Sequence, residues 1–158
     1  MKLLKNNKGF TLIELLIVIG ILTILLAITL VAINPARQFS QANNTQRQSN
    51  VNALLNAVHE YSADHRGALP TGITSTIKSI TSTAGAGNVD LCSILVPTYI
   101  ADIPVDPTAG TKTPTGSLCT DAGATYSTGY SIVASGAASR VTITAPSAEL
   151  GETVSITR

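Results

Sequence analysis

The residues best placed to do chemistry lie near the N-terminus. In Lys8-Gly9-Phe10-Thr11-Leu12-Ile13-Glu14-Leu15, one carboxylate, Glu14, heads a run that carries no further charge from Leu15 to Ile33. A lone charge in an apolar segment costs about 3 kcal/mol on insertion scales and marks a function with a partner. A cut between Gly9 and Phe10 would create an α-amino group one helical turn from Glu14. That amine, on the same or a neighbouring chain, is a chemically sensible partner. Nothing else along the chain assembles a reaction centre. His59 and His65 are the only histidines, and six residues apart on a helix they point in different directions, which suits neither a metal pair nor a triad. With no nucleophile–base pairing, phosphate loop or metal cluster, the chain is not expected to be an enzyme.

Cys92 and Cys119 are not in a C-x-x-C arrangement. If this part is exported, a disulfide is the leading expectation over two free thiols. Its loop of 26 intervening residues would contribute about 3.5 kcal/mol by chain entropy.

Composition bounds what positions these groups. The chain has 158 residues, enough for one modest globular domain and one long appended element. Much of the aliphatic content sits between residues 12 and 33, and the rest is rich in Ser, Thr, Ala and Gly. Two Phe, four Tyr and no Trp leave few large side chains for a core. The soluble part must therefore lean on its own helix, a disulfide or neighbouring subunits. Residues 1–9 carry Lys2, Lys5 and Lys8 and no acid; the remainder has seven basic residues against nine acids, a net charge of −2. No basic stripe for nucleic acid is present, so no direct nucleic-acid site is expected.

From Leu15 to Ile33, 19 uncharged positions span roughly 28 Å as a helix, close to the hydrocarbon thickness of a bilayer. The lysines before it, with no basic residue after it until Arg37, place the N-terminus in the cytoplasm and residues 35–158 outside. An ordinary secretory signal is the plainer alternative. The run is too long for a typical signal core, however, and Ala32-Ile33-Asn34-Pro35-Ala36 offers only a weak cleavage site.

Lys8-Gly9-Phe10-Thr11-Leu12-Ile13-Glu14-Leu15 followed by an aliphatic run resembles the class III signal of type IV pilins and pseudopilins. The resemblance covers about 25 residues. It implies that prepilin peptidase cuts after Gly9 and that Phe10 becomes the N-methylated first residue. Glu14 would neutralise the N-terminus of the adjacent subunit entering a helical homo-oligomeric filament on an assembly platform. The implied location is a single-pass cytoplasmic membrane protein before assembly, and a pilus or periplasmic filament afterwards.

The implied organisation is a leader at 1–9, a transmembrane or filament-core helix at 10–34, an amphipathic continuation at 35–66 and a head domain at 67–158. Pro35 should kink this helix, and the resemblance places partial unwinding in a filament between Gly20 and Pro35. Residues 36–50 are polar, with only Phe39 and Ala42 on an apolar face. Val51, Leu54, Leu55, Val58 and Tyr61 then recur at helical spacing. His65-Arg66 suits a helix C-terminus, Gly67 the left-handed cap, and Pro70 prevents resumption. Apolar pieces at Ile73–Ile80 and Leu91–Ile100 read as a small helix or irregular strands, and Ser82–Asn88 and Pro107–Ser117 as exposed loops.

Tyr126–Ala134, Arg140–Ala145 and Thr153–Thr157 alternate polar with apolar residues and predict a three-stranded antiparallel meander. Such a sheet needs a partner surface, which the Val51–Tyr61 stripe supplies. The fold expected is α+β, a long N-terminal helix packed on a small antiparallel sheet, which agrees with the pilin resemblance.

Asp102, Asp106 and Asp121 border Gly/Pro-rich loops and resemble the calcium-binding loop of major pseudopilins, against the plainer alternative of solvated loop acids. Calcium is the one cofactor this suggests. Asn43-Asn44-Thr45 fits a glycosylation sequon that chance explains as well. Three functions follow, in order: a type IV pilus subunit, a pseudopilin of type II secretion or DNA uptake, and an exported binding domain on a membrane anchor.

Overall fold

The computed structural model describes residues 9–135 and 140–158. The Lys2, Lys5 and Lys8 leader and residues 136–139 of the expected turn between strands lie outside the described residues. The chain divides into two compact units, one up to Gln38 and the other Phe39–Arg158.

In the first unit, α1 spans Leu12–Ala32, about 31 Å at the usual helical rise. Every residue of α1 is exposed, and the helix is long and apolar enough to cross a membrane. Gly20 lies inside an unbroken stretch of it. The hydroxyls of Thr23 and Thr29 donate back to the Ile19 and Leu26 carbonyls, so neither exposes an unsatisfied polar group. The expected kink at Pro35 takes another form. α1 stops at Ile33, whose backbone is extended with φ −101°, and α2 (Pro35–Asp64) starts afresh. Asn34 caps it, its Oδ1 accepting from the Arg37 N–H at 3.3 Å. Proline then occupies the first helical position, where its missing N–H costs nothing.

In the second unit, α2 lies on one face of a six-stranded sheet. Its strands are β1 (Lys78–Thr81), β2 (Asn88–Val89), β3 (Thr111–Thr113), β4 (Thr125–Ala134), β5 (Val141–Ala145) and β6 (Val154–Thr157); a single-turn helix, α3 (Cys92–Leu95), lies between β2 and β3. The order is β2-β1-β4-β5-β6, with β3 also pairing β4.

The predicted three-stranded meander is therefore β4-β5-β6, in the register Ile132↔Ile143 and Ile143↔Ile156. The sheet is larger than expected and mixed, because β2 runs parallel to β1. The Ser82–Gly87 loop makes that possible by doubling back, with the Ser79 N–H donating to the Gly87 carbonyl at 2.9 Å. β3 falls in a segment expected to be a loop and β2 begins at the last residue of another; two or three residues are too few to show a period.

Alternation places Tyr126, Tyr130, Ile132, Val141 and Ile143 on the inner face, where they meet Val51, Leu54, Leu55 and Val58 of α2. All four α2 side chains are fully buried, and truncating Leu54 or Leu55 to Ala would cost about 2–5 kcal/mol. The Cys92–Cys119 disulfide ties α3 to the loop before β4. The Tyr126 phenol holds the same helix by accepting from the Leu91 and Cys92 N–H groups and donating to Asp90.

α2 closes one residue earlier than expected. The Gly67 N–H donates to the Ser62 carbonyl at 2.8 Å, which makes Arg66, at φ 57°, the left-handed cap; Gly67, the residue after it, is left-handed as expected, at φ 88°. Arg66 carries there the steric cost that L-residues meet in this conformation. Arg66→Gly is expected to stabilise the protein by about 1 kcal/mol, read as a raised thermal midpoint of the full chain in detergent micelles; Arg66→Val should lower it.

Candidate functional site at the N-terminal helix

Gly9, Phe10 and Thr11 precede α1 in non-helical backbone. Thr11 is the N-cap, with φ −77° and ψ 152°. Its hydroxyl accepts from the Glu14 N–H at 3.3 Å, while Glu14 Oε2 accepts from both the Thr11 N–H and the Thr11 hydroxyl at 2.8 Å. This is a reciprocal capping box, and it fixes where the helix begins. It also changes the account of Glu14, whose carboxylate is already held by the positive end of its own helix. Thr11 is a site residue that the sequence analysis missed. The Thr-x-x-Glu spacing ahead of an apolar run was the signal that could have found it.

The box and all but the last two residues of α1 fall within one matched family model, the prokaryotic N-terminal methylation motif, over residues 4–30. The chain carries a type IV pilin-like class III signal. The signal points to a structural protein and not to an enzyme family, and with α1 it fits membrane anchoring followed by extracellular display. The α+β arrangement is pilin-like as well. No curated protein and no solved structure matches the chain.

The acids considered as calcium ligands are dispersed among protein donors. Asp102 pairs with Lys112 and accepts from the Ile103 and Cys119 N–H groups at 2.8 and 3.1 Å. Asp121 accepts from the Leu118 N–H at 2.8 Å. Asp106 is buried against Arg47. Among the described residues no three His, Cys, Asp or Glu side chains form a group that could hold a metal.

Arg47 is the second residue that sequence reasoning missed. It lies in the polar stretch 36–50, where only Phe39 and Ala42 read as an apolar face; Phe39 is exposed, while Asn44, Arg47 and Asn50 are all buried and continue the stripe of Val51, Leu54 and Val58. All five guanidinium donors are satisfied. Nε and Nη2 reach the two Asp106 oxygens at 2.7 and 3.2 Å. Nη1 reaches Asn44 Oδ1 and Glu149 Oε1 at 2.9 and 3.1 Å, and Nη2 also reaches Thr108 Oγ1 at 2.6 Å. Asn50 extends the network to the Val105 carbonyl and the Tyr130 hydroxyl.

Two glycines let the Asp106 loop approach this closely. A Cβ on Gly110 would lie 2.5 Å from the Asp106 nitrogen, and one on Gly129 would lie 2.9 Å from the Asp106 Cβ. Gly129 sits at φ 76° where β4 and β1 shift register, and next to it the Thr128 carbonyl accepts from the Asp106 N–H at 2.8 Å. The irregularity thus aims a carbonyl at the loop.

Burial alone would raise the Asp106 pKa, but Arg47 and the Ala109 and Thr108 N–H groups outweigh it and hold the carboxyl below the ordinary range. Asp102 follows the same pattern, with Lys112 overriding burial. Both carboxyls have folded pKa values below their unfolded ones. The stability they confer is present above the unfolded value, near pH 4, and is lost as pH falls through the lower folded values.

Thermal midpoints of the full chain in micelles should accordingly change little near neutrality and fall below about pH 4. Arg47→Ala leaves Asp106 buried without its counter-ion and should cost about 3–5 kcal/mol at neutral pH. An unchanged midpoint in that variant would contradict the central place of the pair.

Proposed function

We propose that the chain is a structural subunit of a type IV pilus or a closely related filament. Prepilin peptidase cuts between Gly9 and Phe10, and the new Phe10 amine is methylated. Before assembly the chain waits as a single-pass protein of the cytoplasmic membrane, its N-terminus in the cytoplasm and its head outside. The assembly platform then moves α1 out of lipid and against α1 of other copies, where Glu14 receives the amine of its neighbour. The observation that carries this reading is the match of residues 4–30 to the methylation motif, on a helix whose every residue lies exposed behind the Thr11–Glu14 box.

The box supplies a detail of mechanism. Oε2 already accepts two hydrogen bonds from Thr11, so pairing with an amine adds to or replaces existing bonds and does not rescue a bare charge. A Gln at position 14 keeps an acceptor for the cap but has no charge for the amine, whereas Ala loses both functions. Glu14→Ala is expected to leave membrane insertion intact and to reduce filament number at least tenfold, counted by electron microscopy of sheared surface material. Glu14→Gln should keep the helix start and still assemble poorly. Normal filament counts with both variants would sink the charge-pairing role.

Mass spectrometry of the mature chain should find N-methylated Phe10 as the first residue in cells with active prepilin peptidase. A chain still starting at Met1 there would contradict the processing step. Long filaments containing this chain favour the pilus, and filaments that are short and appear only on overexpression favour a pseudopilin.

A further inference from the structure

The bond between Gly9 and Phe10 stands just outside α1, and the hydrogen bonds of Thr11 keep it there. The first backbone bond of the helix runs from the Leu15 N–H to the Thr11 carbonyl at 3.3 Å. One more residue of helix would need the Glu14 N–H to donate to the Phe10 carbonyl. That donor goes to the Thr11 hydroxyl instead, at 3.3 Å. Two more residues would tie the Gly9 carbonyl, which borders the expected cut, to the Ile13 N–H. The Thr11 N–H is held in turn by Glu14 Oε2 at 2.8 Å, so the turn is closed from both ends.

Composition alone would not stop the helix at Leu12. Phe10 is as apolar as the run behind it, and Gly9 disfavours helix without preventing Phe10 from joining it. Beside lipid every unbonded backbone group is costly, which favours further helical turns. Thr11 and Glu14 remove that incentive by bonding free N–H groups themselves. What the box leaves outside is open to a partner. Gly9 and Phe10 are exposed and non-helical, and a Cβ on Gly9 would meet nothing within 4 Å. Both box residues lie after the bond, so the box does not leave with the leader.

We infer that Thr11 is a positioning residue for the peptidase reaction: by starting the helix at Leu12, it presents the Gly9–Phe10 amide as accessible, non-helical backbone. The inference rests on the processing step proposed above. Hydrolysis adds one water across this amide, breaking the Gly9 C–N bond and leaving a carboxylate on Gly9 and an ammonium group on Phe10. The peptidase supplies the catalysis, and Thr11 acts through the helix boundary, not on the reacting atoms. A bond inside a helix is cut only after that turn opens, and the rate then follows the open population.

The test is cleavage of the full chain in detergent micelles by purified prepilin peptidase, followed by mass spectrometry, with variants that separate capping from shape. Val has the shape of Thr but cannot cap, whereas Asn differs in shape and caps well. Thr11→Val is expected to lower kcat/KM about fivefold, the population shift that loss of an N-cap carries. The loss should fall on KM and leave kcat unchanged. Thr11→Ser and Thr11→Asn should cut at the wild-type rate. In the same micelles the Cα chemical shifts of Gly9 and Phe10 should move toward helical values in Thr11→Val and stay in place in Thr11→Asn. That readout separates a moved helix start from a lost contact with the peptidase. Glu14→Ala keeps the backbone N–H that the Thr11 hydroxyl accepts from, and should slow the cut less than Thr11→Val. If Thr11→Val is cut as fast as wild type, or Thr11→Asn as slowly as Thr11→Val, the inference is overturned and the processing step stands. A wild-type chain that the peptidase leaves uncut overturns the processing step and this inference with it.

Discussion

α1 cannot satisfy itself. Along 21 residues it exposes an apolar surface broken only by Glu14, Thr23 and Thr29, far more than a soluble monomer leaves in water, and that surface must be covered by lipid or by other chains. The head must therefore fold without drawing on the most hydrophobic part of the sequence. It does so with α2, whose apolar stripe starts only at Val51, and with a sheet whose outer positions are mostly Ser and Thr. What remains is a core of mostly medium aliphatic side chains with Tyr126 and Tyr130 as its large members.

That shortage explains why buried polar groups take on structural work. Arg47 places a full charge in the interior, which is costly unless each donor is matched. Here the match is complete, and it joins α2 to two separate loops, at Asp106–Thr108 and at Glu149. An apolar residue at position 47 could supply burial but not this alignment. Hydrogen bonds at fixed angles to four acceptors outside α2 define its rotation and axial position more narrowly than aliphatic contacts do. Tyr126 and the disulfide perform the same service for α3, a helix too short to hold itself. The low pKa values of Asp106 and Asp102 are the electrostatic trace of these bonds, and they tie the stability of the head to ionised carboxylates.

Elements that carry a period were legible in the sequence. The bare apolar run of α1, the Val51–Val58 stripe and the alternation of β4, β5 and β6 each repeat often enough to stand out. Elements decided by single contacts were not. Asn44, Arg47 and Asn50 share the spacing of the apolar stripe, yet side chains of that kind are almost always solvated, so their burial becomes visible only beside Asp106. β2 and β3 owe their existence to neighbouring strands. The cap of α2 falls on Arg66 because the bond from Gly67 to Ser62 fixes the count, and a preference for Gly at that position could not reveal it. At Glu14 the charge was legible and the Thr11 box was overlooked, although both stand in the same four residues.

The box bears on how the proposed filament would be driven. Lipid tails are as apolar as leucine, so moving α1 from the bilayer into a bundle of like helices gains little from the hydrophobic effect. Packing favours association but is tolerant of sliding, since one aliphatic turn resembles the next. A charged pair formed only when an incoming amine stands level with Glu14 distinguishes one axial position from all others. Because Thr11 already solvates the carboxylate, the proposed pair would replace or add to existing hydrogen bonds, and its net contribution to affinity would be modest. Its larger effect would be on register, as is usual for charges across interfaces. Apolar packing would then hold the subunits together, while one carboxylate, kept ready by its own helix cap, sets where each one stops.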